Sequence, residues 1–445
     1  MMKEKIIRPT NNYRWRIGML IGMGIIVSYL DKVNISVAGS YMAKEFDWSN
    51  AQLGFLFSAF FAAYAIMMLP IGIILDKIGV KWVMRVGTLI WSIVTLMTSF
   101  VGGFGGILTM RIILGATEAP SYPGSAKAIG NWFPLHERGL ATSLFDGAAK
   151  FANAIGIGLC SWAIIQWGWR GAFLVTGLLN LAFTVVYWIM YRDPSNHPKL
   201  SKEEYEYMKK YGAQETEKSE GGIIKNFLIL TRSRKVWGVT IGLMANGFTY
   251  FLMLTWLPSY MMTQLNIDLS TSALYVATPW IVATISELLL AGWFLDKLII
   301  KGYSPNKVRK IFLVVGLLFG AIIFLQPTTN NPILAVTYLS IALGGLAVSS
   351  GVNWSIPTII APKGMVGSVT SFMNLFNNLM AVSAPIITGY LIDVTGNFNS
   401  VFIIAGVFIV IGALSYSFLL SDINPINLEK KENISTPSKE EKSVH

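Results

Sequence analysis

Twelve apolar runs, each long enough to cross roughly 30 Å of hydrocarbon at about 20 residues per crossing, occupy most of this chain. They are Trp15 to Gly39, Gln52 to Leu75, Trp82 to Val101, Gly105 to Lys127, Gly139 to Gln166, Ala172 to Tyr191, Val236 to Met261, Thr271 to Leu295, Ile311 to Gln326, Ile333 to Pro357, Gly364 to Ile392 and Val401 to Ser421, taken in that order as spans one to twelve. The alternating pattern of a barrel strand is missing from them. Backbone in lipid must satisfy its own hydrogen bonds, so the predicted fold is an all-α integral membrane protein. Composition agrees: 53% of 445 residues are hydrophobic and only 13% charged, with a mean hydropathy of +0.54, which is not the balance of a soluble domain.

The first apolar run is too long for a signal-peptide core and lacks a small-residue cleavage site, so span one itself is expected to direct insertion. Basic residues crowd one set of loops: the N-terminus (Lys3, Lys5, Arg8, Arg14, Arg16), the turn after span two (Lys77, Lys81, Arg85), Arg138, the stretch between spans six and seven, and the turn after span eight. The other set holds only Lys44 and Arg170. The positive-inside rule then places the chain in the cell membrane with both termini cytoplasmic, and lipid rather than nucleic acid accounts for the +11 net charge. The expected organisation is an N-terminal six-helix half (1–191), a cytoplasmic loop (192–235) in which "SKEEYEYMKK" reads as a charged surface helix, a C-terminal half (236–421) and a disordered tail (422–445).

A repeat supports the two pseudo-symmetric halves. "GIILDKIGVKWVMR" after span two presents Gly72, Asp76, Lys77, Gly79 and Lys81, and "GWFLDKLIIKGYSPNKVRK" after span eight presents Gly292, Asp296 and Lys297 in the same register. A glycine lets two helices approach closely. An aspartate at a helix end can cap a neighbour or pair with a base, and such a contact can break when the halves rock. Gly72, Asp76, Lys77, Gly79, Lys81 and Asp296 are therefore candidate gating residues. The motif resembles that of the major facilitator superfamily, which implies twelve helices in two six-helix halves.

A narrower resemblance rests on "SYLDKVNISVA", "RIILGATEAPSYPG", "NWFPLHERG", "WGWRGAF", "FLMLTWLPSY" and "SFMNLFNNLMAVSAPIITGY". Together these are similar to the anion:cation symporter family, whose bacterial members carry sugar acids such as galactonate, glucarate and hexuronates. The resemblance implies a monomeric, proton-coupled importer of a small organic anion. It also implies that Asp31 and Glu118 are the protonatable pair, with Trp354, Asn374, Tyr29 and Tyr64 in the substrate pocket. Lys32 stands where that family's motif usually has arginine, which makes bidentate recognition of a carboxylate there less favourable.

The residues themselves argue part of this. A charge at mid-membrane costs at least about 2.5 to 3.5 kcal/mol, so Asp31 and Lys32 need partners or a task. Consecutive helical residues point roughly 100° apart, so pairing with each other is poor geometry and groups on other spans are the expected partners. Arg111 and Glu118, two turns apart on span four, share one face at about 10.5 Å; Arg111 either binds a carboxylate or snorkels to the interface. Glu118 precedes Ala119-Pro120, which breaks the helix beside it. Asp146 and Lys150 have i, i+4 spacing, so Lys150 is either a second carboxylate-binding base or the partner of Asp146. Asn246, Tyr250, Thr255, Trp256, Asn353, Trp354, Asn374, Asn377 and Asn378 supply hydroxyl-binding groups or interhelical bonds. Glu287 has no evident partner.

Other functions find little footing. The lone Cys160 and three histidines, none within a span, offer no metal cluster, and no glycine-rich nucleotide loop is present, so no cofactor, metal or enzyme activity is expected. A receptor built on the same fold, or a carrier for another carboxylate such as tartrate, remains as the alternative.

Overall fold

The computed structural model describes residues 12–134, 137–213, 230–362 and 365–426. The expected tail beyond 426, residues 214–229 of the central loop, Lys3, Lys5, Arg8, His136, His445 and the Gly364 boundary lie outside them. The apolar runs fall largely on helix; some helices extend beyond their runs, as in Tyr13–Phe46 for span one and Asn50–Ile78 for span two, while that of span three, Val80–Thr98, stops short of Val101.

Several spans depart from single uninterrupted α-helices. Span four is two helices, Gly103–Glu118 and Ser121–Trp132, because Pro120 has no N–H to donate to the preceding turn. Spans five and six are two helices within Arg138–Met190 that meet at a non-helical turn at Gly168, whose φ of 70° and ψ of −178° suit glycine alone. Span eight, capped by Asp268, passes from Leu269–Ser286 into a π-helical stretch Glu287–Phe294 and then Leu295–Ile300. Span ten stops at Asn353, leaving Trp354 in a turn before Pro357–Ile360.

Packing between the halves pairs span two with span eleven, span five with span eight and span one with span seven. Exchanging the halves converts the first pairing into the second and returns the third to itself, which is the signature of a pseudo-two-fold axis. At the face away from the basic loops the halves are closed. Ser36 Oγ donates to Thr255 O at 2.8 Å and Ser58 Oγ to Val382 O at 2.6 Å across the halves, and within the C-terminal half Trp256 Nε1 donates to Pro385 O at 3.3 Å. Gly54 and Gly389 permit this closure: a Cβ on either would lie 2.4 Å from Pro385 O or 2.2 Å from Asn50 O. Asp393 completes the seam by accepting the Asn50 and Ala51 backbone N–H groups at 3.0 and 2.8 Å, at the N-terminus of the span-two helix.

On the basic face, "SKEEYEYMKK" forms the helix Lys202–Lys210, and one of its sides is not exposed to solvent. Glu204 is fully buried and accepts from the Tyr13 and Arg14 backbone N–H groups and from Arg14 Nη1 at 2.9 Å. Arg14, counted above among the loop charges, is 1% exposed and also holds Glu137 at 2.6 Å. Tyr207 donates to the same Glu137. The start of span one, the turn before span five and the central-loop helix are thus locked together.

Candidate functional site

Span one brings its two charges to different neighbours. Lys32 Nζ lies 2.7 Å from Glu118 Oε2, and Ser28 Oγ, one turn earlier, donates to that same oxygen at 2.6 Å while accepting from Lys32 at 2.9 Å. Glu118 ends its helix at the Ala119-Pro120 break, so its side chain projects from a helix terminus into the bundle. Its other oxygen, Oε1, is buried without a hydrogen-bond partner. The lysine ammonium also sits over the Tyr29 and Phe60 rings, at 4.7 and 5.0 Å from their centroids.

Asp31 points elsewhere. Its Oδ2 accepts from Asn180 Nδ2 on span six at 2.6 Å, Thr95 of span three is beside it, and Asn34 approaches Oδ1 at 3.5 Å while bonding Thr176 at 3.0 Å. Asn180 carried no signal in the sequence, since an asparagine in an apolar run reads as an ordinary interhelical donor. Arg111 does not snorkel. It is 2% exposed, lies 4.6 Å over the Phe60 ring and donates from Nη1 to the Asp31 backbone oxygen at 3.2 Å, with Nε unbonded. Arg111 and Lys32 therefore gather at one aromatic ring, in electrostatic contact with both acids.

A second charged group bridges the two halves. Lys150 Nζ is 3.1 Å from Asp146 Oδ2 on its own helix and 2.5 Å from Glu287 Oε2 on span eight. Glu287 thus has a partner after all, from the opposite half. Between the two lysines stand three tyrosines: Tyr29 and Tyr122 hydroxyls are 3.1 Å apart, and Tyr250 of span seven neighbours Tyr29. Asn153 reaches Tyr250 at a long 3.5 Å.

The polar residues of the second half divide into two groups. Asn246 donates to Leu346 O at 2.7 Å, Asn353 accepts from Tyr416 at 3.0 Å and Thr255 bonds back to its own helix, so these brace helices. Asn378 bonds Asn374 O at 3.0 Å. Asn377 packs onto Gly247 of span seven with Oδ1 buried and unbonded. Trp354, half-buried, occupies the turn that breaks span ten, and Tyr64 stacks on Phe60 at 6.1 Å beside Ser121. Among the candidate gating residues, Asp76 pairs with Lys127 at 2.6 Å, Lys81 lies over Trp82, Gly72 has open space about it, Gly79 turns the chain at φ 85°, and Lys77 and Asp296 are exposed. Among the described residues no group of three His, Cys, Asp or Glu side chains is arranged for a metal.

Residues 21–385 match the family model described as Major Facilitator Superfamily. The chain is 40% identical over 432 residues to "Uncharacterized transporter YybO" of Bacillus subtilis (strain 168), covering 96% of this chain and 98% of that one. It is 32% identical to "Probable galactarate/D-glucarate transporter GudP" of Escherichia coli (strain K12), covering 96% and 97%. Among solved structures, a bacterial homolog of the human lysosomal transporter Spinster, inward-facing and occupied, superposes with a TM-score of 0.71 at 17% identity over 92% of this chain and 97% of that one. That likeness concerns the fold.

Proposed function

The chain belongs to the Major Facilitator Superfamily, and on that premise we propose that it is a proton-coupled symporter importing a small sugar acid (an aldonate, aldarate or hexuronate) across the cell membrane by alternating access. In this reading the chain works as a monomer with cytoplasmic termini, its halves 1–191 and 236–421 rock about the site, and the cytoplasmic loop 192–235 and tail 422–445 stay outside the transport path. Relatives named as transporters, and not as enzymes, support the class.

The observation that carries the coupling is the Lys32–Glu118 pair. A buried lysine held by a carboxylate is also the natural receptor for an incoming carboxylate. When substrate takes Lys32, Glu118 loses its counter-charge in a low-dielectric site, and protonation becomes the cheaper state. The proton enters from the side that supplied the anion and leaves on the other side, when substrate release returns Lys32 to Glu118. Arg111 supports the same exchange for Asp31, the second candidate proton acceptor, and Tyr29, Tyr64, Trp354, Asn374 and Asn377 would meet hydroxyls. The motif Gly72–Lys81, with Asp296 in its second copy, would gate the cytoplasmic side.

Uptake of galactarate into proteoliposomes containing the full chain tests this. An imposed acid-outside gradient is expected to drive accumulation, and collapse of the gradient by a protonophore to end it. Binding without flux would favour a receptor, and flux indifferent to the gradient would remove the proton from the mechanism.

A further inference from the structure

The cluster Asp146–Lys150–Glu287 is not used by that mechanism, and its geometry is specific. One buried ammonium faces two carboxylates that differ in where they ride. Asp146 sits one turn before Lys150 on span five and moves with it, whereas Glu287 belongs to the other half. If the halves rock, Asp146 is the permanent partner and Glu287 the exchangeable one.

Three further features bear on Glu287. It is the first residue of the π-helical stretch Glu287–Phe294, a widened turn of the kind that recurs at functional sites. It lies against span ten at Gly351, where a Cβ would come within 3.2 Å of Glu287 Cγ and Oε1, so the two helices approach closely beside the carboxyl. The groups facing the cluster are otherwise Tyr122 from the second helix of span four, Tyr250 from span seven and Asn153 of span five, whose Oδ1 is buried and unbonded. Beyond them Tyr29 leads to Lys32. Two ammonium groups, each neutralised by an acid it can release, thus flank a set of tyrosine hydroxyls.

We propose that Lys150 receives a second substrate carboxylate and that Glu287, displaced by it, takes up an additional proton, so that a dicarboxylate is carried with one proton more than a monocarboxylate. This deepens the reading of the chain as a proton-coupled sugar-acid carrier and rests on it. The proton balance is simple. The Glu287 carboxylate binds one proton from the aqueous phase that supplied the dianion, becomes neutral while Lys150 is engaged, and gives that proton to the other phase when Lys150 returns. The extra negative charge of the dianion is matched by the extra proton, and both classes of substrate carry the same net charge.

The test compares galactarate with galactonate in proteoliposomes under imposed membrane potentials. In the wild type the two compounds are expected to respond alike. In Glu287→Gln, whose amide cannot take a proton, galactarate should move with one more negative charge per molecule than in the wild type, so that inside-positive potential favours its uptake relative to the wild type while galactonate keeps its wild-type response. Lys150→Gln should raise the half-saturating concentration of galactarate at least about ten-fold and that of galactonate by no more than about two-fold. As a check that needs no variant, adding galactarate to the solubilised wild-type protein should take up one proton per site more than adding galactonate, read with a pH indicator. Equal proton uptake, an unaltered galactarate response in Glu287→Gln, or equal loss of both substrates in Lys150→Gln would overturn the proposal. Failure of the wild type to move either compound would instead sink the underlying carrier reading.

Discussion

Lys32 Nζ and Glu118 Oε2 are 2.7 Å apart, joined by the Ser28 hydroxyl, which bonds both. In the proposed mechanism this couples the anion to the proton, because the ammonium that would bind a substrate carboxylate is the one that holds the acid.

Loss of the bases should weaken anion binding strongly. Charge-assisted hydrogen bonds contribute about 1.5–3 kcal/mol against about 1 for neutral ones, so Lys32→Gln and Arg111→Ala are each expected to raise the dissociation constant about 10- to 150-fold. Isothermal titration with galactarate reads this, and an unchanged constant in either variant removes that residue from the site.

Asn180 should tune proton coupling through Asp31. Its amide donates to the Asp31 carboxylate at 2.6 Å, and a donor of that kind favours the charged form. Removing it by Asn180→Ala therefore makes protonation easier, and the pH profile of uptake should move to higher pH. A profile that stays in place would show that Asp31 does not titrate during transport.

The seam opposite the basic loops should not respond to physiological pH. Asp393 lies one residue past the end of span eleven as read from the sequence. Burial pushes its carboxyl up, but hydrogen bonds from the Ala51 N–H and from Asn50 outweigh that and leave it below the usual 3.8. A depressed carboxyl contributes fully above its free value and loses its contribution as pH falls, so the seam is at full strength from about pH 5 upward. Asp393→Asn, which costs about 0.3–1 kcal/mol at a helix N-terminus, should shift the closed-to-open ratio about 1.5- to five-fold. Distances between spin labels at Asp47 and Val394, with Cys160 replaced, measure it.

The docked loop helix should matter for stability. Glu204→Ala strips Arg14 of one of two buried carboxylates and leaves two backbone donors at the start of span one unpaired, a change of order 3 kcal/mol. A lower thermal unfolding midpoint is expected, together with normal uptake in the surviving protein; a midpoint equal to wild type would mean the helix is a passive passenger.

Hydropathy alone located the long apolar helices, because lipid leaves the backbone no other choice, and Pro120 announced the break beside Glu118. The need of Lys32 for a partner on another span was also legible, as was the Asp146–Lys150 spacing. What stayed hidden was tertiary pairing. Asn180 beneath Asp31 and Glu287 against Lys150 lie 149 and 137 positions away along the chain, and only packing brings them together. Glu204 was hidden differently: its neighbours in "SKEEYEYMKK" are nearly all polar, so nothing marked one carboxylate of the run as buried.

The most direct measurement is galactarate transport by Glu118→Gln in two modes. An amide cannot carry a proton, yet it preserves shape and can still bond Ser28. Accumulation driven by an acid-outside gradient should vanish, whereas counterflow exchange, which requires binding and reorientation but no net proton movement, should persist. Accumulation at the wild-type rate in this variant would contradict the assignment of coupling to the Lys32–Glu118 pair.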